Sequence, residues 1–175
     1  MTDVTIRAAT PADIPGITRI YAHAVMHGTA TFELEPPDEA EMARRMTALL
    51  EGGFPYLAAE IGGALAGYAY ANHYRTRPAY RFTVEDSIYI DPDMQGRGLG
   101  RALLDRLLIE AEARSFRQMI AVIGDSAQTP SIALHEAAGF RLVGTFEAVG
   151  FKFGRWLDSV LMQKQLGEGG ASEPA

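Results

Sequence analysis

The stretch Ser87-Ile88-Tyr89-Ile90-Asp91-Pro92-Asp93-Met94-Gln95-Gly96-Arg97-Gly98-Leu99-Gly100-Arg101 is the most informative part of this 175-residue chain. A strand rich in β-branched and aromatic residues ends at Ile90, a short loop follows, and Gly96, Gly98 and Gly100 lead into a helical pattern. That pattern, from Gly98 to Phe116, sets Leu99, Leu103, Leu104, Leu107, Leu108 and Ala111 on one apolar stripe. A helix start presents free N–H groups and the positive end of the helix dipole, and glycine lets a phosphate approach the backbone. Arg97 and Arg101 add positive charge locally, in a chain of formal net charge -6. A phosphate-bearing ligand is the natural reading.

Two familiar phosphate motifs do not fit. A Walker loop needs a lysine followed by serine or threonine, and this turn has neither. The dinucleotide pattern Gly-x-Gly-x-x-Gly begins well at Gly96 and Gly98, but its third glycine falls on Arg101. Asp125 stands where a ribose-binding acid would, yet the Ile90-to-Gly96 loop is long for a tight nucleotide turn.

Outward from this turn, the pattern predicts a first strand around Val4 and Ile6 and a helix from Thr10-Pro11 to Gly28. A second helix is expected from Pro37-Asp38 to Glu51. Strands are expected at Tyr56–Ile61, Ala64–Tyr74 and Tyr80–Ile90, with Gly62-Gly63 as a hairpin turn. After the Gly98–Phe116 helix come a strand at Met119–Ile123, a helix from Thr129 to Ala138, and strands at Phe140–Ala148 and Trp156–Gln165. This order implies one α/β domain over residues 1–166, a mixed sheet of about seven strands with about four helices. Residues 167–175 are small and polar and are expected to be a disordered tail.

Composition narrows the function. Hydrophobic residues at 47% and charged residues at 22% suit a globular protein. The absence of cysteine excludes disulfides, thiolate metal sites and an acyl-cysteine intermediate, and suits a cytoplasmic location. The acidic balance argues against nucleic-acid or membrane partners. Met1 to Arg7 shows no signal-peptide pattern, and no window has the ~20 apolar residues of a membrane span. His23 and His27 imitate a zinc pair, but Ala24 stands where the metalloprotease motif needs glutamate, so no metal is expected.

Gln95, Gly98 and Gly100 form Gln-x-x-Gly-x-Gly between a strand and a helix, which resembles the pyrophosphate motif of the GNAT N-acetyltransferases. The element order over residues 4 to 165 also resembles that fold. The resemblance implies acetyl-CoA as co-substrate, in a cleft between splayed fourth and fifth strands. It implies that Gln95, Gly96, Arg97, Gly98, Leu99, Gly100 and Arg101 hold the pyrophosphate, and that the Ile88, Tyr89 and Ile90 backbone pairs with the pantetheine arm. Gln128, where the family usually has asparagine, and Ser131 are implied on the same arm.

Four further segments resemble the phosphinothricin and methionine sulfoximine/sulfone acetyltransferase branch. They are Thr29–Glu33, Tyr80–Ser87, Ser131–Glu136 and Gly150–Asp158. The branch implies a small amino-acid-like amine as acceptor, direct transfer in a ternary complex, and a homodimer.

Glu85 sits in an aromatic, β-branched strand. Alternation puts it with Arg81, Thr83, Ser87 and Tyr89 on a polar face, either a cleft lining or a solvated face with an Arg81–Glu85 pair. The branch resemblance makes Glu85 the general base. Asp86 interrupts the apolar face, so a bulge is expected there. By resemblance His135 is the candidate general acid, against a plain packing role. Phe32, Arg75, Arg77, Glu85 and Ser87 are implied to line the acceptor pocket, the two arginines offering a carboxylate fork or being ordinary loop arginines. Phe32, Glu33 and the Lys152-to-Trp156 segment are expected to close that pocket, across a dimer interface in the branch. The alternatives are acetylation of another small amine or a protein N-terminus, or a non-catalytic CoA sensor.

Overall fold

The computed structural model describes residues 4–174; the readings that touch Met1–Asp3 and Ala175 lie outside them. Seven strands form one sheet in the order β1-β2-β3-β4-β5-β7-β6. They are β1 (Val4–Ala8), β2 (Tyr56–Ile61), β3 (Ala64–His73), β4 (Thr83–Ile90), β5 (Gln118–Gly124), β6 (Arg141–Lys152) and β7 (Arg155–Gln165). The helices are α1 (Ile14–His27), α2 (Glu39–Glu51), α3 (Leu99–Ala113) and α4 (Thr129–Ala137). Among the described residues the β4–β5 pairing is the parallel one, and the other neighbours run antiparallel.

Period-two alternation sorts the core between the faces. Tyr56, Ala58 and Tyr68 turn to α1 and α2, where they meet Ile17, Ile20, Val25, Met42 and Met46. Leu57, Ala59, Ala69 and Ala71 turn the other way, against Leu99, Leu103, Leu104 and Leu107 of α3. The stripe read from the sequence is therefore the buried face of α3. The alanines matter here, because short side chains on β3 let α3 lie close to the sheet.

Several boundaries move for local reasons. Thr10 opens a capping box closed by Asp13, and Pro11–Asp13 form a 3-10 turn that feeds α1. Pro78–Tyr80 form another such turn, so β4 begins at Thr83 rather than at Tyr80. The expected bulge at Asp86 is absent: β3 and β4 pair without a shift from His73↔Val84 to Gly67↔Ile90. Residues 167–174, expected as a tail, follow β7 after Leu166. They make tight turns tied back by Arg117, whose guanidinium meets Ser172 and the Glu173 carbonyl. Among the described residues no helix is long and apolar enough to cross a membrane.

Candidate active site

The β4–β5 ladder ends early. Its pairs are Thr83↔Gln118, Val84↔Met119 and Glu85↔Ile120, although the strands continue to Ile90 and Gly124. From Asp86 onward β4 is paired on the β3 side alone, and its other edge faces a fork in the sheet. A cavity of about 930 Å³ fills this fork and reaches both faces. Glu85 to Ile90 run along it, the Met94–Arg101 turn and α4 bound one side, and Ile20, His23, Ala24 and His27 of α1 bound the other.

At the turn, Gly96 and Gly98 have φ of 73° and 78°, a left-handed conformation in which a side chain would be strained. Gly98 is the N-cap of α3, and no acid occupies the helix's first turn. The result is a set of free helix N–H groups facing the cavity, suited to an anion. Gln95, Gly96, Gly98, Leu99, Gly100 and Arg101 line it, whereas Arg97 does not. The Arg101 guanidinium pairs with Asp105 at 2.7 Å and donates to the Ala137 carbonyl at 2.8 Å, bracing α3 against α4. A side chain at Gly100 would press on Leu134 of α4, its Cβ 3.3 Å from Cδ2.

Glu85 and Asp86 leave β4 on opposite faces. The Glu85 carboxyl lines the cavity, and burial, reinforced by the charge of Asp86, pushes its pKa up to about 7. Arg81 does not pair with it; that guanidinium lies 4.5 Å from the Phe82 ring centroid and donates to the Pro78 carbonyl. Asp86 is buried because α4 brings it a partner. His135 Nε2 is 2.9 Å from Asp86 Oδ2, and His135 Nδ1 is 2.7 Å from the Ser131 carbonyl. Burial opposes the imidazolium, but the Asp86 hydrogen bond and charge, with the Ser131 carbonyl, outweigh it and raise the His135 pKa. This pairing replaces the expected bulge as the reason an acid tolerates the apolar face. Both ring nitrogens of His135, the candidate general acid, thus meet internal partners, and the residue also lines the cavity.

Gly28, Ala30, Thr31 and Phe32 form a further wall of the cavity. Phe32 sits between two glycines: a Cβ at Gly124 would come 2.8 Å from Phe32 Cε1, and one at Gly150 would overlap the same ring. Thr29 Oγ1 accepts from Gln128 Nε2 at 2.9 Å, so that amide, expected on the pantetheine arm, holds the wall. Tyr21 Oη contacts Thr31 Oγ1 at 2.9 Å and donates to Glu33 Oε1 at 3.0 Å, and Glu33 is paired with Arg45 at 2.6 Å. Lys152 Nζ donates to the Gly28 and Thr31 carbonyls. Ser87 lines the cavity opposite Tyr70 in the β3 register, and Ser131 lines it from α4.

Arg75 and Arg77 lie outside this cavity on an exposed loop; the Arg75 guanidinium is 5.2 Å from the Tyr74 ring centroid and 5.8 Å from that of Tyr80. His23 and His27 line the cavity and are exposed, with ring centroids 4.7 Å apart. Among the described residues no group of three or more metal-ligating side chains converges. Sequence reasoning missed Asp86 as a partner of His135, and Tyr21, Thr31 and Lys152 as wall-holders. The acid on an apolar face was a signal for the first. The others meet only through tertiary contacts.

Comparison with known proteins agrees with this geometry. The acetyltransferase (GNAT) domain family matches residues 6–161. A phosphinothricin N-acetyltransferase of Alcaligenes faecalis is 54% identical over 97% of this chain and 86% of its own length. The L-methionine sulfoximine/L-methionine sulfone acetyltransferase of Salmonella typhimurium is 41% identical over 97% of this chain and 99% of its own. A crystal structure of a GNAT superfamily phosphinothricin acetyltransferase from Sinorhizobium meliloti, in complex with acetyl-CoA, superposes with a TM-score of 0.96. It shares 52% identity and covers 100% of this chain and 94% of the other. With its forked parallel pair and its glycine turn ahead of α3, the chain belongs to the GNAT acetyltransferase family.

Proposed function

We propose that this enzyme transfers the acetyl group of acetyl-CoA to the α-amine of a small amino-acid analogue with a tetrahedral polar tip: L-methionine sulfoximine, methionine sulfone or phosphinothricin. The observation that carries the reading is Glu85, a half-buried carboxyl with a pKa pushed up to about 7 on the wall of the cavity that continues to the glycine turn. The named relatives act on such compounds and support the substrate class.

The fork fits acetyl-CoA. The left-handed glycines and free N–H groups at α3 suit its pyrophosphate, and the unpaired edge of β4 at Ile88–Ile90 suits the amides of its pantetheine arm. Acetyl-CoA supplies the thioester whose carbonyl the amine attacks. Glu85 removes the proton that the ammonium form must lose, directly or through water. A β4 N–H on the fork side is placed to meet developing negative charge on oxygen. His135 holds Asp86 and clamps α4 to β4 where the ladder ends. Arg75 and Arg77, on the exposed loop between β3 and β4 and outside the cavity, stay our candidates for the acceptor carboxylate on the branch resemblance alone. Acetylation removes the amine's charge, which is the chemistry of detoxification, and the cysteine-free chain suits the cytoplasm.

A thiol-release assay over a panel of amines tests this reading. Methionine sulfoximine, methionine sulfone and phosphinothricin should be turned over in preference to common amino acids, polyamines and N-terminal peptides. Acetyl-CoA binding with no turnover of any amine would favour a sensor and overturn the proposal.

The same reading includes a homodimer. Phe146, Val149, Phe151, Phe153 and Trp156 of the β6–β7 hairpin are each more than half exposed, a large apolar patch for a lone chain. Phe153 even occupies a left-handed position in the turn, with φ of 53°, which is rare for a bulky residue. Light scattering should give twice the 19.0 kDa chain mass. The double substitution Phe151→Glu with Trp156→Glu should return it to one chain mass; a monomeric wild type would remove the dimer from the proposal.

A further inference from the structure

Lys152 ends β6 with its side chain turned inward, 4% exposed, while Phe151 and Phe153 beside it are 57% and 55% exposed. A buried ammonium needs compensating partners. Lys152 finds them 121 and 124 residues away, donating to the Thr31 carbonyl at 2.8 Å and the Gly28 carbonyl at 2.9 Å. Burial draws its pKa below the ordinary lysine value, and the charge of Glu33 acts in the opposite sense. The two carbonyls bracket the turn that carries Thr29, Ala30 and Thr31 into Phe32. Gln128 and Tyr21 hold side chains of that turn, whereas Lys152 holds its backbone.

We propose that Lys152 is a positioning residue for the acceptor: its ammonium fixes the Gly28–Thr31 backbone, so sets Phe32 at the cavity wall and links that wall to the apolar hairpin face. This rests on the acceptor site proposed above. The link is direct, since the Lys152 Nζ lies 5.0 Å from the centroid of the Phe153 ring in the hairpin turn, while Phe151, its neighbour on the strand, faces outward. Without the ammonium, two carbonyls in a buried place lose their donor and the wall loses its fixed height over the acceptor.

Lys152→Met in the full-length enzyme tests this, with KM measured for methionine sulfone and for acetyl-CoA. The acceptor KM should rise by about tenfold, the scale of one charge-assisted hydrogen bond, while the acetyl-CoA KM changes by less than about threefold. Because the chain has no cysteine, Lys152→Cys can be aminoethylated in the unfolded state and refolded, restoring an amine of the same length. That protein should recover the wild-type acceptor KM. Should Lys152→Met not fold, aminoethylated and S-propylated Lys152→Cys give the same comparison, because the propyl group matches the length and has no donor. An unchanged acceptor KM, or a parallel loss of kcat and both KM values without rescue, would overturn the inference. Wild-type inactivity toward every acceptor would instead overturn the functional reading, and the inference with it.

Discussion

Glu85→Gln is expected to lower kcat by about 10²–10⁴, the range for removing a general base, with acetyl-CoA affinity unchanged. The amide keeps the size and much of the polarity of the carboxyl but cannot take up a proton. Glu85 is ionised above a pKa of about 7, so wild-type kcat/KM should climb as pH rises through 7 and fall away on the acid side. The variant should lose that limb. Stability offers an independent check with the opposite sense. A carboxyl whose folded pKa is raised contributes stability that is complete below its ordinary value of 4.5 and lost as pH rises through about 7. Glu85→Gln does not ionise, so it should melt higher than wild type at pH 8 and similarly at pH 4. Retention of full activity at pH 8 would remove Glu85 as the base, and a retained acid limb would place the titration elsewhere.

Gly124→Ala should be the most damaging single-methyl change at the acceptor wall. The new Cβ would overlap the Thr29 carbonyl oxygen and lie 2.8 Å from Phe32 Cε1. Thr29 cannot simply give way, because Gln128 holds its side chain and Lys152 holds the carbonyls of Gly28 and Thr31. Overpacking of this kind costs about 1–3 kcal/mol. In a chain of this length that lowers Tm by about 2–12 °C. The displaced wall should also raise the acceptor KM more than tenfold, whereas the acetyl-CoA KM, set at the glycine turn on α3, should move far less. Gly144, where an added Cβ meets nothing within 4 Å, provides the control: Gly144→Ala should leave both KM values unaltered. Equal behaviour of the two variants would mean that the Phe32 wall does not shape the acceptor site.

The parts of the fold that local patterning sets were legible in the chain itself. The stripe of α3, the Gly62-Gly63 hairpin and the glycine turn each depend on residues close in sequence, and each stands where the pattern put it. Alternation alone does not single out Glu85, since all of Glu85 to Ile90 line the cavity; its place there comes from the fork that opens where the β4–β5 ladder ends. Asp86 shows where that reasoning stops. Alternation marked it as an anomaly and suggested a bulge, but its partner His135 lies 49 residues on, and helix packing alone brings them to 2.9 Å. The same limit applies to Gln128, which is drawn to Thr29, to Lys152, which is buried against two distant carbonyls, and to Arg75, which leans on tyrosines outside the cavity.

Sequence by itself thus determined the elements and the glycine turn ahead of α3, because backbone propensity and hydrophobic period are local properties. Tertiary structure decided which polar side chains are free to meet a ligand and which are engaged in holding the site together. That distinction depends on desolvation and on hydrogen bonds between residues far apart in the chain, and those exist only once the two faces of the sheet are packed.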